Sequence, residues 1–143
     1  MTTTITRPMT MWTAAWTLAL AANACGGSSS TQGGPAPGVD LTGTWNATWT
    51  SRSGAVGQGT MVLTQSGASV TGTVTVQGSP CVVNADVSGS LDGDALAATF
   101  TFGGGEATLD ATVSASASQM SGTYDATSAG ACTGDTGTIT ATR

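Results

Sequence analysis

The stretch Leu41-Thr42-Gly43-Thr44-Trp45-Asn46-Ala47-Thr48-Trp49-Thr50 alternates apolar or small residues with polar ones, position by position. Met120-Ser121-Gly122-Thr123-Tyr124-Asp125-Ala126-Thr127 repeats the pattern near the other end of the chain. Successive side chains of a strand point to opposite faces, so a period of two sends one row into a core and the other into water. Working outward from these two stretches, the same alternation marks runs at 41–51, 58–66, 69–78, 82–91, 95–103, 107–115, 119–127 and 136–143.

Short links join consecutive runs, which predicts an all-β, antiparallel, up-and-down meander. Eight strands joined in this way close into a small barrel that leaves no exposed edge. A β-sandwich of the immunoglobulin type is the alternative, and it fits less well because no tryptophan lies between Cys81 and Cys132. Glycine recurs in the apolar phase at Gly43, Gly72, Gly89, Gly122 and Gly137. Such glycines let a strand bend sharply, as a sheet must when it curls into a barrel.

The links differ at the two ends. Those leading into the even-numbered runs, such as 51–58 and 126–135, are mostly the longer ones. A meander collects them at one end, so the barrel should have a plain, closed end and a loop-rich mouth, where binding is expected. Arg52, Glu106, Trp49 and Phe102 are the candidate binding residues of that mouth. Cys81 and Cys132 fall in its loops and suit a disulfide in an exported protein, folding two loops over the opening. Closing a loop of that span contributes about 4 kcal/mol in the chain-entropy view. The inward phase includes Val83, Phe100, Tyr124 and Ile139, interleaved with alanines on six of the strands. Small residues there either leave a cavity for an apolar ligand or let a narrow barrel pack solid.

Composition narrows the function further. The chain has no histidine, no lysine and a formal net charge of −5, so it has little with which to neutralise phosphates, and nucleic acid is excluded as a partner. Without imidazole, the usual group for acid–base catalysis and for many metal sites is missing. The chain therefore reads as a non-enzyme without cofactor or metal. A carboxylate-based hydrolase would require Glu106 and Asp135 to converge in the mouth. Asp92-Gly93-Asp94 reads as a hairpin turn and not as a calcium site.

Residues 1–24 read as an export signal, with Arg7 as the positive flank and an apolar stretch from Met11 to Ala22 that is too short to span a membrane. Residues 25–38 form a Gly/Ser/Pro-rich tether, and 39–143 the barrel domain. Ala22-Asn23-Ala24-Cys25-Gly26 resembles the lipobox of bacterial lipoproteins, although leucine is usual where Ala22 stands. That resemblance implies that Cys25 becomes the lipidated amino terminus and anchors the protein in the cell envelope. The absence of Asp after Cys25 implies the outer membrane. Ala22-Asn23-Ala24 also suits ordinary secretion, with a secreted or periplasmic product.

Gly43-Thr44-Trp45 resembles the G-x-W of the lipocalin and avidin-like barrels, the calycins, where an arginine of the final strand covers the tryptophan at the closed end. The resemblance implies a closure of Trp45 by a buried Arg143, which ends the last run in the inward phase with Ile139 and Ala141. It extends to architecture alone, because no C-terminal helix follows and no biotin-site polar set is present. The expected function is to bind a small apolar ligand or a protein at the mouth. The alternative is a structural, interaction or inhibitor-like envelope protein with a solid barrel and no ligand.

Overall fold

The alternating runs form eight strands: β1 (Gly43–Ser51), β2 (Val56–Ser66), β3 (Ser69–Gln77), β4 (Asn84–Asp92), β5 (Ala95–Phe102), β6 (Gly105–Val113), β7 (Gln119–Ser128) and β8 (Thr136–Thr142). This computed structural model describes residues 38–143; the stretch 1–24 read as an export signal, Cys25 and the rest of the expected tether through residue 37 lie outside the described residues. Each strand pairs antiparallel with the next, and β1 pairs with β8, so the meander closes into a barrel. In that last seam Trp49 lies opposite Ile139 and Ala47 opposite Ala141, which sets inward residues against inward residues. A one-residue slip would turn the whole apolar row of β8 outward, so burial fixes the register.

The interior is packed unevenly along the barrel axis. Toward the closed end, Trp45, Leu63, Val70, Leu91, Leu109 and Val113 are fully buried and form the dense part of the core. Toward the mouth the inward positions are mostly small, with Ala47, Ala85, Ala107 and Ala126 on four different strands. Branched aliphatic side chains and the Trp45 indole fill the lower half, and in the upper half the small residues leave space between the larger ones.

Four of the recurring glycines mark where strands press together. A Cβ at Gly72, Gly89, Gly122 or Gly137 would meet a carbonyl oxygen of the adjacent strand, from Val62, Ala97, Asp110 and Thr50 respectively. These are the bending points expected of a small barrel. Gly43 has a different reason to be glycine. Its φ of 139° belongs to the turn by which the chain enters β1, a conformation that disfavours other residues.

That entry corrects the expected start of the first strand. Val39 and Leu41 do not extend β1 but fold across the closed end, where Leu41 is completely buried. Gln65 holds the segment in place: its Oε1 accepts from the Leu41 N–H at 2.8 Å, and its Nε2 donates to the Val39 carbonyl at 3.1 Å. The Trp45 indole N–H donates to the Leu41 carbonyl at 2.9 Å, so the floor is hydrogen-bonded as well as apolar.

Arg143 lies over Trp45, with its guanidinium carbon 4.9 Å from the ring centroid. It also donates to the carbonyls of Thr42 and Asp40, both at 2.8 Å. The expectation of a buried arginine is corrected, since Arg143 is exposed and caps the indole from the solvent side. Its hydrogen bonds go to backbone carbonyls outside the core, which leaves the charge hydrated. Asp40 at the same end has its carboxyl held below the usual range, first by the Thr42 backbone N–H and side-chain hydroxyl and then by nearby Arg143.

Val83 is also corrected. It was expected to point inward but is 62% exposed. Strand β4 begins at Asn84, and in the irregular segment before it the Val83 carbonyl accepts from the Val76 N–H at 2.7 Å. Val82 packs against the core in its place.

Candidate functional site

The small residues of the upper half leave a cavity of about 370 Å³ beneath the mouth. Met61, Val74 and Phe100 form its deep part, Ala47, Ala85 and Ala126 its sides, and Phe102 and Ile139 complete an apolar wall. Its size falls in the range of small-molecule sites, and its lining has their usual composition, mostly apolar with a few polar groups gathered together.

A disulfide joins Cys81 in the β3–β4 loop to Cys132 in the β7–β8 loop, with the two Cα atoms 6.2 Å apart. Both cysteines line the cavity, as do Pro80, Val82, Ala129 and Ala131 beside them. The covalent link therefore ties two loops from well-separated strands over the upper cavity. The β7–β8 loop is further shaped by a 3-10 turn at Gly130–Cys132, with the Cys132 N–H donating to the Ala129 carbonyl at 3.0 Å.

The polar groups of the cavity centre on Asp135. One carboxylate oxygen accepts from the Tyr124 hydroxyl at 2.7 Å, and the other accepts from the Ser51 hydroxyl. Ser51 is buried, 5% exposed, and its Oγ also accepts from the Ser53 N–H at 3.0 Å. Three segments distant in sequence thus meet at one carboxylate, which lies immediately before β8. Burial, followed by the hydrogen bond to Asp135 and its negative charge, pushes the Tyr124 hydroxyl up to about 12.

Aromatic rings flank this cluster. The Trp49 indole lies against Gly57, and the Tyr124 ring lies against Gly137, where a Cβ would strike the ring in either case. An aromatic side chain laid over a strand glycine restores packing that the glycine itself cannot give. The Trp49 Nε1 is buried and has no hydrogen-bond partner among the described residues. Trp45, four residues earlier on the same inward row, has its indole N–H satisfied.

The structure distributes the mouth residues read from the sequence between two surfaces. Trp49 and Phe102 line the cavity. Arg52 and Glu106 are exposed and do not line it. Arg52 lies along an outer-wall groove with Asp110 and Asp125, because β1 has ended at Ser51 and the chain has turned out of the barrel. Glu106 takes the outward phase of β6, between inward Gly105 and Ala107. Glu106 and Asp135 thus do not share the cavity. Ser51, Tyr124 and Asp135 were not grouped from the sequence. Two of them left a signal, since a serine and a tyrosine in an inward phase both require a polar partner.

No protein-family model matches the chain, and no curated protein matches it in sequence. Among solved structures, it is similar to a redesigned β-barrel, mFAP1, bound to DFHBI. The two are 22% identical with a TM-score of 0.56, over 72% of this chain and 94% of that one. At this level of identity the likeness is one of fold, and the fold the two chains share is a small β-barrel.

Proposed function

We propose that this protein is an exported, lipid-anchored barrel that binds a small, largely apolar ligand in its upper cavity. The observation that carries the reading is the cavity itself: about 370 Å³ of space walled by alanines and aromatics, above a lower half packed solid. A barrel selected for stability alone would gain from filling that space, because empty volume forfeits contacts along its whole lining. The mFAP1 barrel, solved with DFHBI bound, lends support as an example of a similar scaffold holding a small molecule. The reading is one of binding and not of catalysis, in keeping with the absence of histidine and the separate placement of Glu106 and Asp135. Export and anchoring rest on the sequence around Cys25.

Native mass spectrometry of protein purified from its host, followed by solvent extraction, tests the binding. The expected result is a retained small molecule that is lost when Ala85→Phe fills the upper cavity. A wild-type protein that retains nothing, and that takes up no neutral apolar dye which Ala85→Phe excludes, would overturn the reading. Mass analysis of the amino terminus tests the anchor, with a diacylglyceryl group on Cys25 expected and a free thiol at that position contrary to it.

A further inference from the structure

Asp135 is the one charged side chain among the residues that line the cavity. Both hydrogen bonds to its carboxylate come from hydroxyls, those of Ser51 and Tyr124, which leave its negative charge in place. The chain has no lysine. Of the two arginines among the described residues, Arg143 caps the closed end and Arg52 lies along the outer wall. Among the described residues, the upper cavity therefore carries an anion without a cation to balance it.

The walls around that anion are aromatic. Trp49 on β1 and Tyr124 on β7 flank β8 from its two sides, and Phe100 and Phe102 line the cavity from β5. Aromatic faces attract cations through the ring quadrupole, most strongly where water is excluded. They suit alkylammonium groups best, since such a head is weakly hydrated and offers few or no N–H donors that need acceptors. A carboxylate beside several rings is the recognised chemistry for organic ammonium ions, and it repels anions of the same size.

We infer that the ligand is an amphipathic organic cation, an alkyl- or arylammonium compound. Its charged head sits by Asp135, Trp49 and Tyr124 at the mouth, and its apolar tail runs down toward Met61, Val74 and Phe100. This rests on the cavity being a ligand site, as proposed above, and adds the charge of the ligand. The orientation follows from where the groups lie. Asp135 belongs to the loop before β8 at the mouth, and the deep part of the cavity carries no polar side chain. A neutral hydrocarbon would fill the deep part equally well and leave the rim unused.

A matched pair of probes separates charge from shape: benzyltrimethylammonium and its neutral isostere neopentylbenzene, with phenylmethanesulfonate as the anion. Titration calorimetry on the full wild-type chain at low ionic strength is the measurement. The cation is expected to bind about tenfold tighter than the isostere, with no binding of the sulfonate. Asp135→Asn, with its fold checked by circular dichroism, should bring the cation down to the affinity of the isostere and leave the isostere unchanged. Equal or tighter binding of the neutral probe by the wild-type protein overturns the charge preference and leaves the cavity as a ligand site. The wild-type comparison decides this even where Asp135→Asn does not fold. Failure of all three probes to bind would remove the ligand site, and the charge preference with it.

Discussion

Trp45 and Trp49 lie four residues apart on the inward row of one strand, yet the same substitution should affect them in opposite directions. In Trp49→Phe the smaller ring gives up about 1 kcal/mol of apolar burial. It also removes the buried, unpartnered Nε1, whose desolvation costs about 1–3 kcal/mol in the folded state. The net effect is a stability change from near zero to a gain of about 2 kcal/mol. Trp45→Phe gives up a similar area, but it also strands the Leu41 carbonyl without its donor, at a further cost of about 1–3 kcal/mol. Part of the Arg143 contact, up to about 1 kcal/mol at an exposed site, goes with it. The sum is a loss of about 2–5 kcal/mol. Urea unfolding of the full chain, followed by far-ultraviolet circular dichroism, compares the two variants directly. A Trp49→Phe variant as unstable as Trp45→Phe would refute the reasoning, because it would mean that the Trp49 N–H is satisfied in the folded protein.

The disulfide should account for about 4 kcal/mol, so urea unfolding with and without reductant should show a lower midpoint in the reduced protein. An unchanged midpoint would mean that Cys81 and Cys132 are not joined. Tyr124 is the single tyrosine of the chain, so its ionisation can be followed by tyrosinate absorbance without interference. Its hydroxyl should titrate near 12 in the folded protein against 10.0 in the unfolded chain. The neutral form is favoured by folding, so this contribution is fully present below pH 10 and is lost as pH rises from 10 toward 12. A normal tyrosine titration would place the Tyr124 hydroxyl away from Asp135. Gly137→Ala puts a methyl group against the Thr50 carbonyl and the Tyr124 ring, and should cost about 1–3 kcal/mol in a urea melt. A neutral result would mean that neither the Thr50 carbonyl nor the Tyr124 ring presses on Gly137.

The barrel was legible because its signal repeats: each strand restates the alternation, so an error at one residue is outvoted by its neighbours. Where the alternation stops, legibility stops with it. Val83 keeps the phase of β4, but the strand has not yet begun there, and the backbone turns the side chain outward. Leu41 keeps the phase of β1 while belonging to the floor, held by Gln65 from another strand. Arg52 and Glu106 were grouped with the mouth because of the end of the barrel they occupy, which says nothing about whether they face in or out. The polar cluster shows the same limit. Ser51 and Tyr124 both needed a partner, but that it would be Asp135 depends on the path of the β7–β8 loop, which no local pattern specifies.

The uneven packing along the barrel axis divides the molecule into two tiers with separate duties. Cohesion resides in the lower tier, so exchanging Ala47, Ala85 or Ala126 for other small or medium side chains should alter what the chamber admits far more than how firmly the chain holds together. On the proposed ligand-binding reading, selectivity is open to change at a few positions, on a foundation that does not have to be rebuilt each time.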